Sequence, residues 1–343
     1  MKGIMIMGIS VKGKLISGGI AAAAVGTLAA TALTGVGSAN AATTAPSAVN
    51  GSGNYQYVNF GSTKDVTFNQ LLGINNNGRI AGYFGSGAKG HPNKGYTIYA
   101  PYAQSDVHSE NFPGSVQTQV TGLNDTNVQV GFYSTQNTAS GNNNNFGWYF
   151  NGSFHKVAFP TGDNSNPPVN QLLGVNDSDV AVGFYNNGAG SSRAYEYNIR
   201  THVFTRVQIP GYPTSTAGPS TTATAINNNG DVAGFYTDKA GLTVSFLDVH
   251  GSFTSFAFPG ASSTNASGVN DHNEVVGFYT VGSGNSAVTH GFTWTKSHGF
   301  ATIDDPNGVG ATTVNGVNDE GDLVGFYTDS AGNTIGMVAF PNF

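Results

Sequence analysis

A phrase repeated six times, short aromatic runs punctuated by turn residues, and an unmatched run at each end of the repeats predict an all-β fold, a six-bladed β-propeller with four antiparallel strands per blade. The phrase opens at Gly73-Ile74-Asn75-Asn76 and closes on Gly82-Tyr83-Phe84. It returns from Gly122, Gly174, Ala225, Gly268 and Gly316, closing each time on Gly-Phe-Tyr. The spacing is roughly 50 residues, within the range in which self-similarity marks solenoids, propellers or arrays.

Four short runs fill each repeat, and the fifth shows them in order: a (Gly251 to Phe258), b (Ser267 to Asn270), c (Glu274 to Tyr279) and d (His290 to Thr295). Each is four to eight residues long, rich in Val, Ile, Phe and Tyr, and bounded by Gly, Asn, Asp or Pro, which reads as strand. Runs b and c are joined by Asn-Asn-Asn-Gly, Asn-Asp-Ser-Asp or Asn-Asp-Glu-Gly, residues that tolerate a tight reversal. Links from d to a are equally short, as at Asn151-Gly152 and His250-Gly251. The c-to-d loops vary in length. Only the step from a to the next b is long and often proline-bearing, as from Pro210 to Thr222, which suits a crossing between sheets. Tyr55 to Phe60 is a lone a run, and the last repeat, Val314 to Phe340, lacks one. Pairing the two closes the ring with the N-terminal strand and protects an exposed edge.

Residues 1–41 read as a signal peptide. Lys2, Lys12 and Lys14 precede an apolar, Ala-rich stretch from about Leu15 to Val36, and Ala39-Asn40-Ala41 supplies a small-residue cleavage pattern. A retained anchor is the alternative, because the stretch nearly reaches spanning length. Residues 42–54 are expected to be a flexible mature N-terminus, and 55–343 the propeller. All 19 acidic residues follow the leader with 10 of the 13 basic ones, so the mature chain carries about −9 and has no Lys/Arg cluster. That charge argues against nucleic acid or an anionic membrane as the partner, and no membrane insertion is expected after signal cleavage. The absence of cysteine is compatible with export, since a core of this size needs no disulfide.

The six phrases, Gly-Ile/Val-Asn-Asn/Asp-x-x-x-Val-x-Gly-Phe-Tyr, resemble the extracellular HAF-type repeat family of secreted bacterial proteins over about Tyr55 to Phe340. The resemblance implies a secreted β-propeller. The His-Gly-Phe frequent in that family stands here only at His290-Gly291-Phe292. Propellers of this kind also resemble lectin-like subunits exported by actinobacteria, which implies recognition of a surface glycan.

Catalytic signatures are thin. There is no Cys nucleophile, no Gly-x-Ser-x-Gly in the mature segment and no His-Glu-x-x-His. The Asn/Asp turns resemble fragments of calcium loops but read as hairpin turns, because two of the six are Asn-Asn-Asn-Gly. No resident metal, cofactor or catalytic residue is therefore expected. Trp148 and Trp294 fall at strand d positions that read as core. With b innermost, the b–c and d–a turns form one rim, short and repetitive. The c–d loops and a-to-b crossings form the other, and function concentrates in variable loops on a rigid scaffold. The candidate binding residues on this loop rim are His91, Lys94, Asp163, Arg193, Tyr212, Asp238, Lys239, His290, Asp304, Asp305 and Asp329, with Tyr212 expected to be exposed. The leading reading is a secreted, non-catalytic binding module that takes a glycan or an extracellular protein. The alternatives are a polysaccharide lyase or glycoside hydrolase using loop acids, and a structural subunit of an exported multiprotein complex.

Overall fold

The computed structural model describes residues 48–50, 55–138, 142–160, 165–188, 191–212 and 220–342. The expected leader lies outside them. Among the described residues all regular structure is β, apart from two single-turn 3-10 segments, Gln104–Asp106 and Gly284–Ser286. None of their helices is long and apolar enough to cross a membrane.

The first repeat is an antiparallel sheet in the order b-c-d-a: Asn69–Ile74, Ile80–Phe84, Lys94–Ile98 and Val107–Ser109. Residues 117–157 and 170–206 form two more such sheets. Residues 221–256 and 263–303 form two further b-c-d-a sets, joined by a single parallel pairing of Thr243 with Ser263. The last set, Thr312–Val317, Leu323–Thr328 and Thr334–Pro341, takes its fourth strand from Tyr55–Phe60. Tyr55 lies opposite Pro341 and Phe60 opposite Gly336, as the unmatched ends of the repeats predict. Tyr55–Phe60 is not the outermost strand, however, because Ala48–Asn50 pairs on its far side.

Strand register explains the repeated Gly-Phe-Tyr. The glycine of each c strand lies opposite the large central residue of strand d, as Gly131 opposite Trp148 and Gly277 opposite Phe292. A β-carbon on Gly131 would stand 2.8 Å from the Trp148 ring, so the position must stay bare for the ring to lie across it. The six strand d residues at this place, Tyr96, Trp148, Tyr195, Phe246, Phe292 and Met337, are all at most 1% exposed. Trp294 is buried as well.

All six b strands carry a bulge at the same point, five of them at a glycine. There neighbouring b strands nearly touch. A β-carbon on Gly122 would meet the Gly174 Cα at 3.1 Å, and one on Gly316 would meet the Gly73 Cα at the same distance. The last b strand therefore stands beside the first.

Candidate functional site

The turn rim is built by the doubled Asn-Asn or Asn-Asp of each b–c turn. The first residue caps its own hairpin: Asn176 Oδ1 accepts from the backbone N–H of Ser178 at 3.1 Å and of Val180 at 3.0 Å. Its amide Nδ2 donates outward, to Asn227 O of the next turn at 3.0 Å. The second residue accepts from the preceding turn. The N–H groups of Asn76, Asp125, Asp177, Asn228, Asp271 and Asp319 donate to the side-chain oxygens of Asp125, Asp177, Asn228, Asp271, Asp319 and Asn76 respectively, at 2.7–2.9 Å. Burial first, and with it the charges of Asp125 and Asp271, pushes the Asp177 carboxyl above the usual carboxylate range.

These turns surround a cavity of about 70 Å³ lined by all six b–c turns, and a second of about 80 Å³ lies deeper between the six b strands. A small-molecule site needs roughly 300 Å³ or more, so this space suits a few waters and not a sugar ring. Among the described residues no group of three or more His, Cys, Asp or Glu is placed to hold a metal ion.

The expected loop-rim residues divide by role, and most of the acids hold their own loops. Asp238 Oδ1 accepts from the N–H groups of Ala240 and Leu242, both at 2.8 Å, and Asp329 Oδ1 accepts likewise from Ala331 and Asn333. Asp305 is only 2% exposed and accepts from the Asn307 N–H at 2.8 Å. Burial pushes its carboxyl above the usual range. It belongs to the scaffold and offers no surface contact, because the loop 305–308 folds back over it through the Gly308 N–H to Asp305 O bond. Asp65, which sequence reasoning passed over, accepts from the Thr67 N–H and hydroxyl and lies 2.8 Å from His91 Nδ1. Burial works to raise the Asp65 carboxyl, but the bonds from Thr67 and His91 outweigh it and hold it below the usual range.

Other side chains of this rim are brought together. His290 Nδ1 is 2.8 Å from Asp304 Oδ2, and its ring stacks on Tyr279 with centroids 5.2 Å apart. Tyr212 is half-buried rather than exposed, since it packs on the core beside Tyr236, 5.6 Å between centroids. The Lys239 ammonium lies 5.4 Å from the Tyr212 ring centroid. Lys94 Nζ donates to Val116 O at 2.9 Å, and the Arg193 guanidinium donates to Ser192 O. Asp163 lies outside the described residues. The rim also carries an apolar component absent from the sequence reading. Among the described residues, the exposed large hydrophobic side chains Val66, Val116, Leu242 and Val309 stand on its crossings and loops.

No family model matches the chain, and no curated protein matches it in sequence. The resemblance to HAF-type repeats thus rests on the six phrases themselves. Solved structures similar to the chain include an ulvan lyase of a new polysaccharide lyase family, 14% identical over 90% of this chain and 94% of that one, with a TM-score of 0.44. A mutant of AofleA from Arthrobotrys oligospora is 13% identical over 84% and 87%, with a TM-score of 0.47. The fungal Aleuria aurantia lectin, described as a six-bladed β-propeller with fucose recognition, is 12% identical over 76% and 86%, with a TM-score of 0.43.

Proposed function

We propose that the chain is an exported six-bladed β-propeller, closed by its N-terminal strand, that acts as a non-catalytic, lectin-like binding module through the loop rim. Closure is supported by the series of turn-to-turn hydrogen bonds that runs from Asn76 through the other repeats and returns from Asp319 to Asn76. Export is supported by the leader pattern, and N-terminal sequencing of protein from the medium should begin at Ala42.

The observation that carries the binding reading is the use of the loop acids. Asp65, Asp238, Asp305 and Asp329 each tie backbone N–H groups of their own loop. Both oxygens of Asp65 and of Asp329 are engaged and Asp305 is buried, so these make poor general acids or nucleophiles, which need a free oxygen facing the substrate. They make good stiffeners, and a stiff rim carrying Tyr212, Lys239 and scattered apolar side chains is preorganised for contact. A glycan array probed with the mature chain tests this reading. Tyr212→Ala should weaken binding of any hit, whereas Asn176→Ala on the turn rim should lower the melting midpoint and leave binding intact. Failure to bind any glycan, or loss of binding by a folded Asn176→Ala, overturns it.

A polysaccharide lyase or glycoside hydrolase has one observation in its favour, the His290–Asp304 pair, in which a carboxylate orients an imidazole as an enzymatic base requires. Size analysis of a bound glycan after incubation separates the two readings, because binding alone leaves the chain length unchanged.

A further inference from the structure

Charge is divided unequally between the two rims. The turn rim holds nine carboxylates in its b–c turns and their flanks, against Arg79, Arg200 and Lys296. Arg79 and Arg200 are already paired there, with Glu110 and Asp179. The other seven Lys and Arg of the repeats stand toward the loop rim, on its loops, its crossings or the strand ends that meet them. Among the described residues, Lys64, Lys89, Lys94, Lys156, Arg206 and Lys239 take part in no ion pair. Among the described residues, the loop-rim acids Asp65, Asp238, Asp304, Asp305 and Asp329 form no ion pair with them, being turned to backbone N–H groups or to His91 and His290.

Three of these cations, one each in the second, third and fourth repeats, lie over an aromatic ring, supplied by strand d of the same sheet for Lys156 and by the preceding crossing for Arg206 and Lys239. The Lys156 ammonium lies 4.0 Å from the Phe146 ring centroid, the Arg206 guanidinium 5.6 Å from that of Phe159, and the Lys239 ammonium 5.4 Å from that of Tyr212. All three cationic residues are exposed, and all three rings are partly buried. A ring beneath a cation steadies a long side chain and keeps its charge at the surface.

Building on the lectin-like reading, we infer that the loop rim from the second to the fourth repeat binds an acidic polysaccharide bearing uronate or sulfate groups. The spaced cations meet its anionic groups and the adjoining rings supply apolar contact for its sugars. Spacing argues against nucleic acid. Duplex DNA carries about one negative charge per 1.7 Å of axis and calls for a dense basic stripe. This rim offers single cations from separate repeats, on a mature chain of net charge about −9. A polysaccharide with one anionic group per sugar or per disaccharide is far more dilute in charge.

The test is calorimetric titration of the mature chain with polygalacturonate, with a neutral galactan and with duplex DNA. Polygalacturonate should bind best, and binding should weaken with added salt. The triple variant K156Q/R206Q/K239Q should bind it about tenfold more weakly, as expected for three exposed charge contacts of modest strength each. The turn-rim double variant R200Q/K296Q should bind as the parent does, and an unchanged melting midpoint for the triple variant excludes unfolding as the cause. Equal affinity for the neutral galactan, or no loss in the triple variant, overturns this inference while leaving the lectin-like reading standing. Binding of neither glycan, with a glycan array also blank, removes both. Tighter binding of DNA overturns it in favour of a nucleic-acid partner.

Discussion

The two rims draw on the same residues, Asn, Asp, Ser and Gly, and use them differently. On the turn rim Asn75, Asn124, Asn176, Asn227 and Asn270 are each spent twice, once on their own hairpin and once on the next sheet, as Asn176 caps Val180 and reaches Asn227, whereas Asn318 turns its amide to Asp322 of its own hairpin. On the loop rim Asp238 and Asp329 keep the corresponding chemistry local, as Asp329 ties only the loop from Ala331 to Asn333. Composition therefore does not separate scaffold from surface. Repetition does, because a residue present in every repeat can bond to its own counterpart next door, whereas a residue present once has no such partner.

The largest expected effect tests the scaffold side of this contrast. Deleting residues 42–61 removes the strand that pairs with Thr334–Pro341, and with it Tyr57 and Phe60, which are 1% and 3% exposed. Two buried aromatics are worth about 3–5 kcal/mol each, comparable with the whole stability of a typical domain, about 5–15 kcal/mol. The truncated chain should melt far below the parent or fail to fold. Removing Gly284–Ser286 from a c–d loop, whose residues are all exposed, should shift the midpoint only slightly. Similar shifts for both deletions would dissolve the distinction between scaffold and loop.

A finer comparison pits the two Asx caps against each other. Asn176→Ala removes two caps and an inter-sheet bond from a residue only 4% exposed, and should cost about 2–4 kcal/mol. Asp329→Ala removes bonds within one half-exposed loop and should cost about 1 kcal/mol. Chemical denaturation of both variants measures the difference, and equal costs would mean that the turn-to-turn bonds add nothing beyond capping.

The strand order, the pairing of Tyr55–Phe60 with the last sheet and the burial of Trp148 and Trp294 were legible because turn chemistry and aromatic spacing are local signals. The role of Asp125 was not, because its partners, Asn76 and Asp177, lie about 50 residues away in either direction. One signal was present in the sequence: a hairpin needs one Asx cap, yet every repeat has two adjacent ones, and the surplus residue is the one that reaches its neighbour. Asp305 and Tyr212 misled for the opposite reason. Both occur once, in proline-bearing links, where sequence pattern carries no information about burial, and both turned out to be held by the core or its edge.

The smallest effect is the pH dependence of stability, and it too differs between the rims. Burial, the largest influence in each case, raises the carboxyls of Asp177, Asp248, Glu274 and Asp322 on the turn rim, of Glu196 within a sheet and of Asp305 beneath the loop rim. Asp65 on the loop rim is lowered instead. A carboxyl raised in the folded chain binds its proton more tightly there than when unfolded. Its charged form costs stability at neutral pH, and that cost disappears as pH falls through the raised value toward the ordinary range near about 4. Asp65 acts in the reverse sense, and its contribution is lost only at lower pH, through its lowered value. The melting midpoint should therefore rise as pH falls from neutral toward the ordinary carboxylate range near about 4, and fall again as Asp65 is protonated below it. Asp177→Asn isolates the turn-rim share without a foreign geometry, since Asn76 and Asn228 already occupy the same place in the first and fourth repeats. The variant should be more stable than the parent at pH 7 and gain less on acidification. A parent whose midpoint falls steadily from neutral pH down to the ordinary carboxylate range would mean that the buried turn-rim carboxylates are better stabilised as anions than their surroundings imply, with the hydrogen bonds between turns outweighing desolvation.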